Sequence, residues 1–92
     1  MSEFDWDPRK SGRNLAKHGV SFAEALTVFS DPAAQIFDDP DHSSDERREI
    51  IVGYSHRPRL LVVGFTERGH RVRIITARRA SRAEVRRHEE NT

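Results

Sequence analysis

Arginine is the residue type with the most chemical reach in this chain. Residues 71 to 87, RVRIITARRASRAEVRR, hold seven arginines against one acid, Glu84. A guanidinium stays charged and donates two parallel hydrogen bonds, which suits a phosphate. The same run could also be an ordinary solvated face, because basic runs alone specify little. Read as a strand, RVRIITA turns Val72 and Ile74 one way and Arg71 and Arg73 the other. Arg78 and Arg79 close that strand, and Arg82 and Arg86 stand four apart on a following helix. Like charges at that spacing repel by about 0.2–0.5 kcal/mol, so an acidic loop, a partner or a polyanion must offset them.

Histidines supply the proton chemistry. His18, beside Lys17 in LAKHG, can exchange a proton near neutral pH and so act as general acid or base. It also sits where a helix C-terminus favours a cation whatever the function. His88 lies four residues after Glu84, the spacing of an exposed helical pair. In DDPDH, Asp38, Asp39, Asp41 and His42 could in principle bind a divalent ion. Pro40 interrupts that run and the spacing fits no metal motif, so an acidic turn is the expectation. Trp6 reads as a packing anchor, with base stacking as the other use.

The elements that must position these residues follow from local signals. Asp7-Pro8 starts a helix that Gly19 stops. Ser21-x-x-Glu24 has capping-box spacing and opens a second helix, SFAEALTVFSDP, making an αα-hairpin with the first. AQIF, EIIVGYS, RLLVVGFT and RVRIITA then alternate like half-buried strands joined by short turns, with a further short strand possible at FDW. LLVVGF is apolar on both faces and belongs at the centre of the sheet. Ser81-x-x-Glu84 opens a C-terminal helix. The expected fold class is α+β: an N-terminal helical hairpin on a three- to four-stranded, mainly antiparallel sheet, then one helix.

Ninety-two residues with 35% apolar content form one domain, residues 1–92, with a thin core. The absence of cysteine excludes disulfides and thiolate zinc sites. MSEFDWD is no secretory signal and no apolar run could span a bilayer, so the expectation is a soluble cytoplasmic protein without membrane contact. The net charge of +1 conceals segregation. Residues 31 to 49 carry seven acids against Arg47 and Arg48. No helix-turn-helix is evident, which disfavours a direct DNA reader.

Over nearly its whole length the chain resembles the BrnT toxins of type II toxin–antitoxin pairs. The likeness rests on FDWDPRKSGRNLAKHGVSF, on ERREIIVGYS and RLLVVGFTERG, and on the closing RVRIITARRA. It implies a RelE-like fold and a ribonuclease that needs no metal and no organic cofactor. It also implies a BrnA-type antitoxin, through which alone the toxin would meet operator DNA. The family's Trp-Asp falls at Trp6 and Asp7, its Lys-His-Gly at Lys17 to Gly19, its strand-leading arginine at Arg48, and its Ala-Arg-Arg-Ala at Ala77 to Ala80. The chain departs from the pattern at His88, where relatives usually carry tyrosine, and at Arg47, where an acid is more usual. On that basis Arg48, Arg73 and Arg78 are the phosphate-binding candidates, and His18 and His88 the proton carriers. Lys17, Arg79 and Arg82 would hold flanking RNA. A non-catalytic poison acting through the same basic surface is the alternative.

Overall fold

The computed structural model describes residues 3–39 and 46–91. The elements run β1 (Glu3–Asp5), α1 (Pro8–His18), α2 (Phe22–Leu26), a 3-10 turn (Thr27–Ser30), β2 (Gln35–Asp38), β3 (Arg48–Tyr54), β4 (Leu60–Arg68), β5 (Arg71–Arg79) and α3 (Arg82–Glu90). The strands form one sheet in the order β1-β5-β4-β3-β2. Every pairing is antiparallel except β1 with β5, which is parallel. The sheet therefore has five strands, the four expected between AQIF and RVRIITA and the further short one near FDW, which is β1. Its first strand precedes the helices, so the chain does not open on a helical hairpin.

Local chemistry sets the helix ends. Asp7 accepts a hydrogen bond from the Arg9 amide at 2.9 Å and Pro8 occupies the first turn, where no amide donor is needed. Gly19 adopts φ 71°, and its amide returns to the Leu15 carbonyl at 2.9 Å, closing α1. Ser81 and Glu84 form a complete capping box. At Ser21 only half of one forms. The Ser21 hydroxyl accepts from the Glu24 amide, but the Glu24 carboxylate turns away to Arg59 and to the Ser55 hydroxyl at 2.7 Å. Helix α2 accordingly lasts five residues before tightening into the 3-10 turn.

The core lies between α1–α2 and one face of the sheet. Val20, Phe22, Ala25 and Val28 pack on Ile51, Leu61, Val63, Phe65, Val72, Ile74 and Ala77, with Trp6 half-buried at the margin. Phe29 bridges Phe4 and Phe65, with ring centroids 5.0 and 5.1 Å away. As its apolar run requires, β4 is the central strand, buried from Leu60 to Thr66. Helix α3 lies across the other face, where His88 meets Tyr54 edge-on at 5.8 Å.

Asn14 does for β5 what a neighbouring strand would otherwise do. Strand β1 pairs only with Arg71–Arg73 and leaves the rest of that edge open. The Asn14 side chain, in α1, donates to the carbonyls of Val20 at 2.7 Å and Ala77 at 2.8 Å, and accepts from the Ala77 amide at 3.3 Å. It is the only buried residue of α1, so a largely polar helix is fixed to the sheet through one amide. Replacing it leaves buried backbone groups unpaired, at about 1–3 kcal/mol each. Asn14→Ala should therefore lower the melting temperature by roughly 10 °C or more. A melt within 2 °C or so of wild type would show that Asn14 is not the anchor.

Candidate active site

The functional candidates lie mainly on the sheet face opposite the core. Strand register defines transverse rows there. In the first row Arg48 stands beside Thr66, and Thr66 beside Arg73. The Thr66 hydroxyl donates to the Arg47 carbonyl at 2.9 Å, fixing the start of β3. The second row joins Ile50, Gly64 and Thr76; the third joins Val52, Val62 and Arg78. Arg48, Arg73 and Arg78 thus share one face. Four residues of β4 separate the first row from the third, roughly 13 Å at strand spacing.

Between these rows β4 and β5 slip. Phe65 pairs with Ile74 but Gly64 pairs with Thr76, so Ile75 is an extra residue in a β-bulge. Gly64 is needed here because a Cβ would come within 2.7 Å of Thr76 Cγ2. Ile75 and Thr76 floor two adjoining depressions. One is walled by Lys10, Arg13, Asn14, Lys17 and His18 of α1, the other by Asp39, Arg48, Gly64 and Phe65. His18, half-buried, and Arg48 therefore flank the same two bulge residues from opposite sides.

Each cation has a different commitment. Arg73 reaches Asp5 at 3.4 Å, and Arg71 reaches Glu3 and Asp5 at 3.5 Å, so both brace β1 against β5. Arg78 donates to both Glu84 oxygens at 2.8 and 2.9 Å, clamping β5 to the first turn of α3. Hydrogen bonds from Arg78 hold the Glu84 carboxyl down at about 2, against the opposing effect of burial. Arg47 is held by Asp38 at 2.7 Å. By contrast, among the described residues no carboxylate forms an ion pair with Arg48, Lys17, Arg79 or Arg82.

His88 departs from the exposed Glu–His pair that its spacing suggested. Glu84 is taken by Arg78, and the imidazole is only 4% exposed, with no hydrogen-bond partner for either ring nitrogen. The structure gathers His18, Lys17, Arg48 and Arg73 around or beside the bulge, and places Arg78 and His88 farther along the face. Arg79 registers with Leu61 and so leans toward the helix layer, while Arg82 is exposed on α3. Of the acidic run, Asp41 and His42 lie outside the described residues, and Asp38 is engaged by Arg47. Among the described residues no three His, Asp or Glu side chains are grouped to hold a metal ion.

Sequence reasoning passed over Thr66 and Arg59, gave Asn14 no role, and read Glu24 only as a helix cap. Glu24 is buried, and although burial alone would raise its pKa, hydrogen bonds from Arg59 and Ser55 outweigh this and lower it. The one available hint was Glu24 and Ser55 being polar within otherwise core-forming segments.

The crystal structure of the Brucella abortus ribonuclease toxin BrnT matches with a TM-score of 0.68 and 25% identity, covering 89% of this chain and 100% of that one. The family model described as "Ribonuclease toxin, BrnT, of type II toxin-antitoxin system" matches residues 6–84, and the chain belongs to that family. Comparison with curated protein sequences gives no match.

The Arg78–Glu84 clamp makes a pH-dependent prediction. Because the folded Glu84 carboxyl titrates at about 2, below its ordinary 4.5, its contribution is complete above about pH 4.5 and is lost as pH falls toward 2. Solvent around the half-exposed Arg78 limits that contribution to about 1 kcal/mol. In urea unfolding, Glu84→Gln should be less stable than wild type at pH 7, and the gap should close by about pH 2. A gap unchanged across that range would rule out the clamp.

Proposed function

We propose that this protein is an endoribonuclease toxin that cleaves RNA without a metal ion or organic cofactor, and that a BrnA-type antitoxin neutralises it. One observation carries the reading. His18, a group able to move a proton, and Arg48, a cation with no carboxylate partner among the described residues, flank the same bulge at Ile75 and Thr76. An RNA strand laid across those two residues would run between the two groups.

The chemistry needs only the substrate and such groups. The RNA 2′-oxygen attacks phosphorus, the bond from phosphorus to the 5′-oxygen breaks, and the products are a 2′,3′-cyclic phosphate and a 5′-hydroxyl. A base accepts the 2′-hydroxyl proton and an acid supplies one to the departing 5′-oxygen. We assign one of these transfers to His18. Arg48, with Arg73 behind it in the same row, would stabilise the charge that builds on the phosphorane oxygens. Lys17 with Lys10 and Arg13 would follow the backbone on one side, and Arg79 and Arg82 on the other.

Arg78 and His88 take a supporting part in this scheme. The Arg78 fork is filled by Glu84, and the His88 nitrogens are closed off from solvent, so both hold α3 in place rather than contact phosphate. Membership of the RelE-like group and action in the cytoplasm, where RNA and antitoxin meet, belong to the same reading. Operator DNA would be reached only through the antitoxin.

Purified protein incubated with RNA in excess EDTA tests the proposal. Cleavage should persist, Arg48→Ala should slow it by roughly 10²–10³-fold, and His18→Gln by roughly 10²–10⁴-fold. Arg78→Ala should lower stability more than rate. Loss of cleavage in EDTA would instead point to a metal. Absence of cleavage in any condition would favour a toxin that poisons by binding through the same cationic surface.

A further inference from the structure

Among the described residues the sheet ends at β2 with an unpaired edge. Among the described residues no strand lies beyond Gln35–Asp38. The Asp39 amide bonds the Arg48 carbonyl at 3.0 Å, and antiparallel alternation then turns the backbone groups of Phe37 and Gln35 inward to β3. The amide and carbonyl of Ile36 consequently face outward. Native edges are normally blunted by charge, proline or a covering element. This one carries Ile36 and Phe37, 55% and 50% exposed.

The edge also opens into a groove of about 280 Å³ beneath α3. Ile50, Val52, Val62 and Phe37 provide apolar walls, while Arg78 and Arg87 stand on its helical side. Glu84 balances Arg78, and no described carboxylate forms an ion pair with Arg87. The groove is therefore apolar at its base and net positive at its rim.

The geometry points to β2 and this groove as the docking site of an extended segment of the antitoxin, which adds as a sixth strand beside β2. Alternate apolar side chains of that segment lie over Phe37 and the groove, and an acidic one meets Arg87. The inference rests on the toxin–antitoxin reading and adds where and how the partner binds. An outward amide and carbonyl at strand spacing call for a peptide backbone. A second copy of this chain fits poorly. Four residues paired with themselves cover far less than the ~1,200 Å² of a stable interface, whereas a longer segment can continue from the edge into the groove. Seated there, it extends along the face that carries Arg78 toward the row of Arg48 and Arg73, and so would obstruct RNA.

Ile36→Pro is the sharpest probe, because it deletes the outward amide while leaving the β2–β3 hydrogen bonds in place. Ile36→Lys and Arg87→Glu serve should the proline impair folding. Each variant is co-expressed with the product of the adjoining reading frame, and the affinity of the pair is measured by calorimetry. The thermal melt and RNA cleavage of each free toxin are followed in parallel. Binding at least about tenfold weaker, with wild-type melting and cleavage, is the expected result. Wild-type affinity in the variants overturns the docking site, as does a toxin dimer that Ile36→Pro splits into monomers. Loss of RNA cleavage with antitoxin binding intact would make the groove an RNA surface instead. If wild type binds no partner from that frame, the docking proposal fails, while its cleavage of RNA still decides the nuclease reading separately.

Discussion

The slip between Gly64 and Phe65 governs what the two sides of the sheet can be. In a regular strand, residues an odd number apart point to opposite faces. Ile74 and Ala77 are three apart, yet both are buried in the same core; Arg73 and Arg78 are five apart, yet both face outward. One extra residue at Ile75 reconciles these parities. Without it, either Ile74 would leave the core or Arg78 would enter it. The bulge also sets Ile75 and Thr76 as the common floor between the end of α1 and the start of β3. Core and candidate site are thus two consequences of a single irregularity.

A second recurrence organises the charges. Helices α2 and α3 both begin with Ser-x-x-Glu, and in both the acid ties the helix to a distant arginine: Glu24 to Arg59, just before β4, and Glu84 to Arg78 in β5. On the core side the pair is secluded and takes the Glu24 carboxylate away from its cap. On the outer side the pair is half-exposed, and Glu84 caps and clamps together. Such pairs contribute more to fixing geometry than to net stability, since desolvation offsets much of their attraction. The basic run at the end of the chain is consequently not one surface. Arg71, Arg73 and Arg78 are internally matched, whereas Arg79, Arg82, Arg86 and Arg87 have no ion-paired carboxylate among the described residues.

Much of this was legible in the sequence wherever a local rule decides structure. The Asp7 and Ser81 caps, the Gly19 stop and the central place of LLVVGF all follow from residue type and neighbours. Legibility failed where a distant partner decides. Glu24 has the spacing of a cap but is claimed by Arg59, thirty-five residues on. His88 has the spacing of an exposed pair but is buried against Tyr54. The bulge left no mark in RVRIITARR itself, since its excess residue is an ordinary isoleucine. The nearest signal was Gly64, a glycine in the centre of a strand, which often marks a close approach.

The two halves of the outer face are physically unlike. Around the bulge the surface is cationic, and among the described residues Arg48 forms no ion pair, which suits a hydrated polyanion. Beneath α3 the surface is aliphatic, edged by exposed Ile36 and Phe37, which suits a partner that excludes water. Burying apolar area there is worth about 25 cal/mol per Å² whatever the salt, whereas phosphate contacts weaken steeply as salt rises. A protein segment anchored under α3 would therefore keep its hold under conditions that loosen RNA. By lying along a face shared with Arg48 and Arg73, it would compete with RNA for space without having to match any one catalytic group.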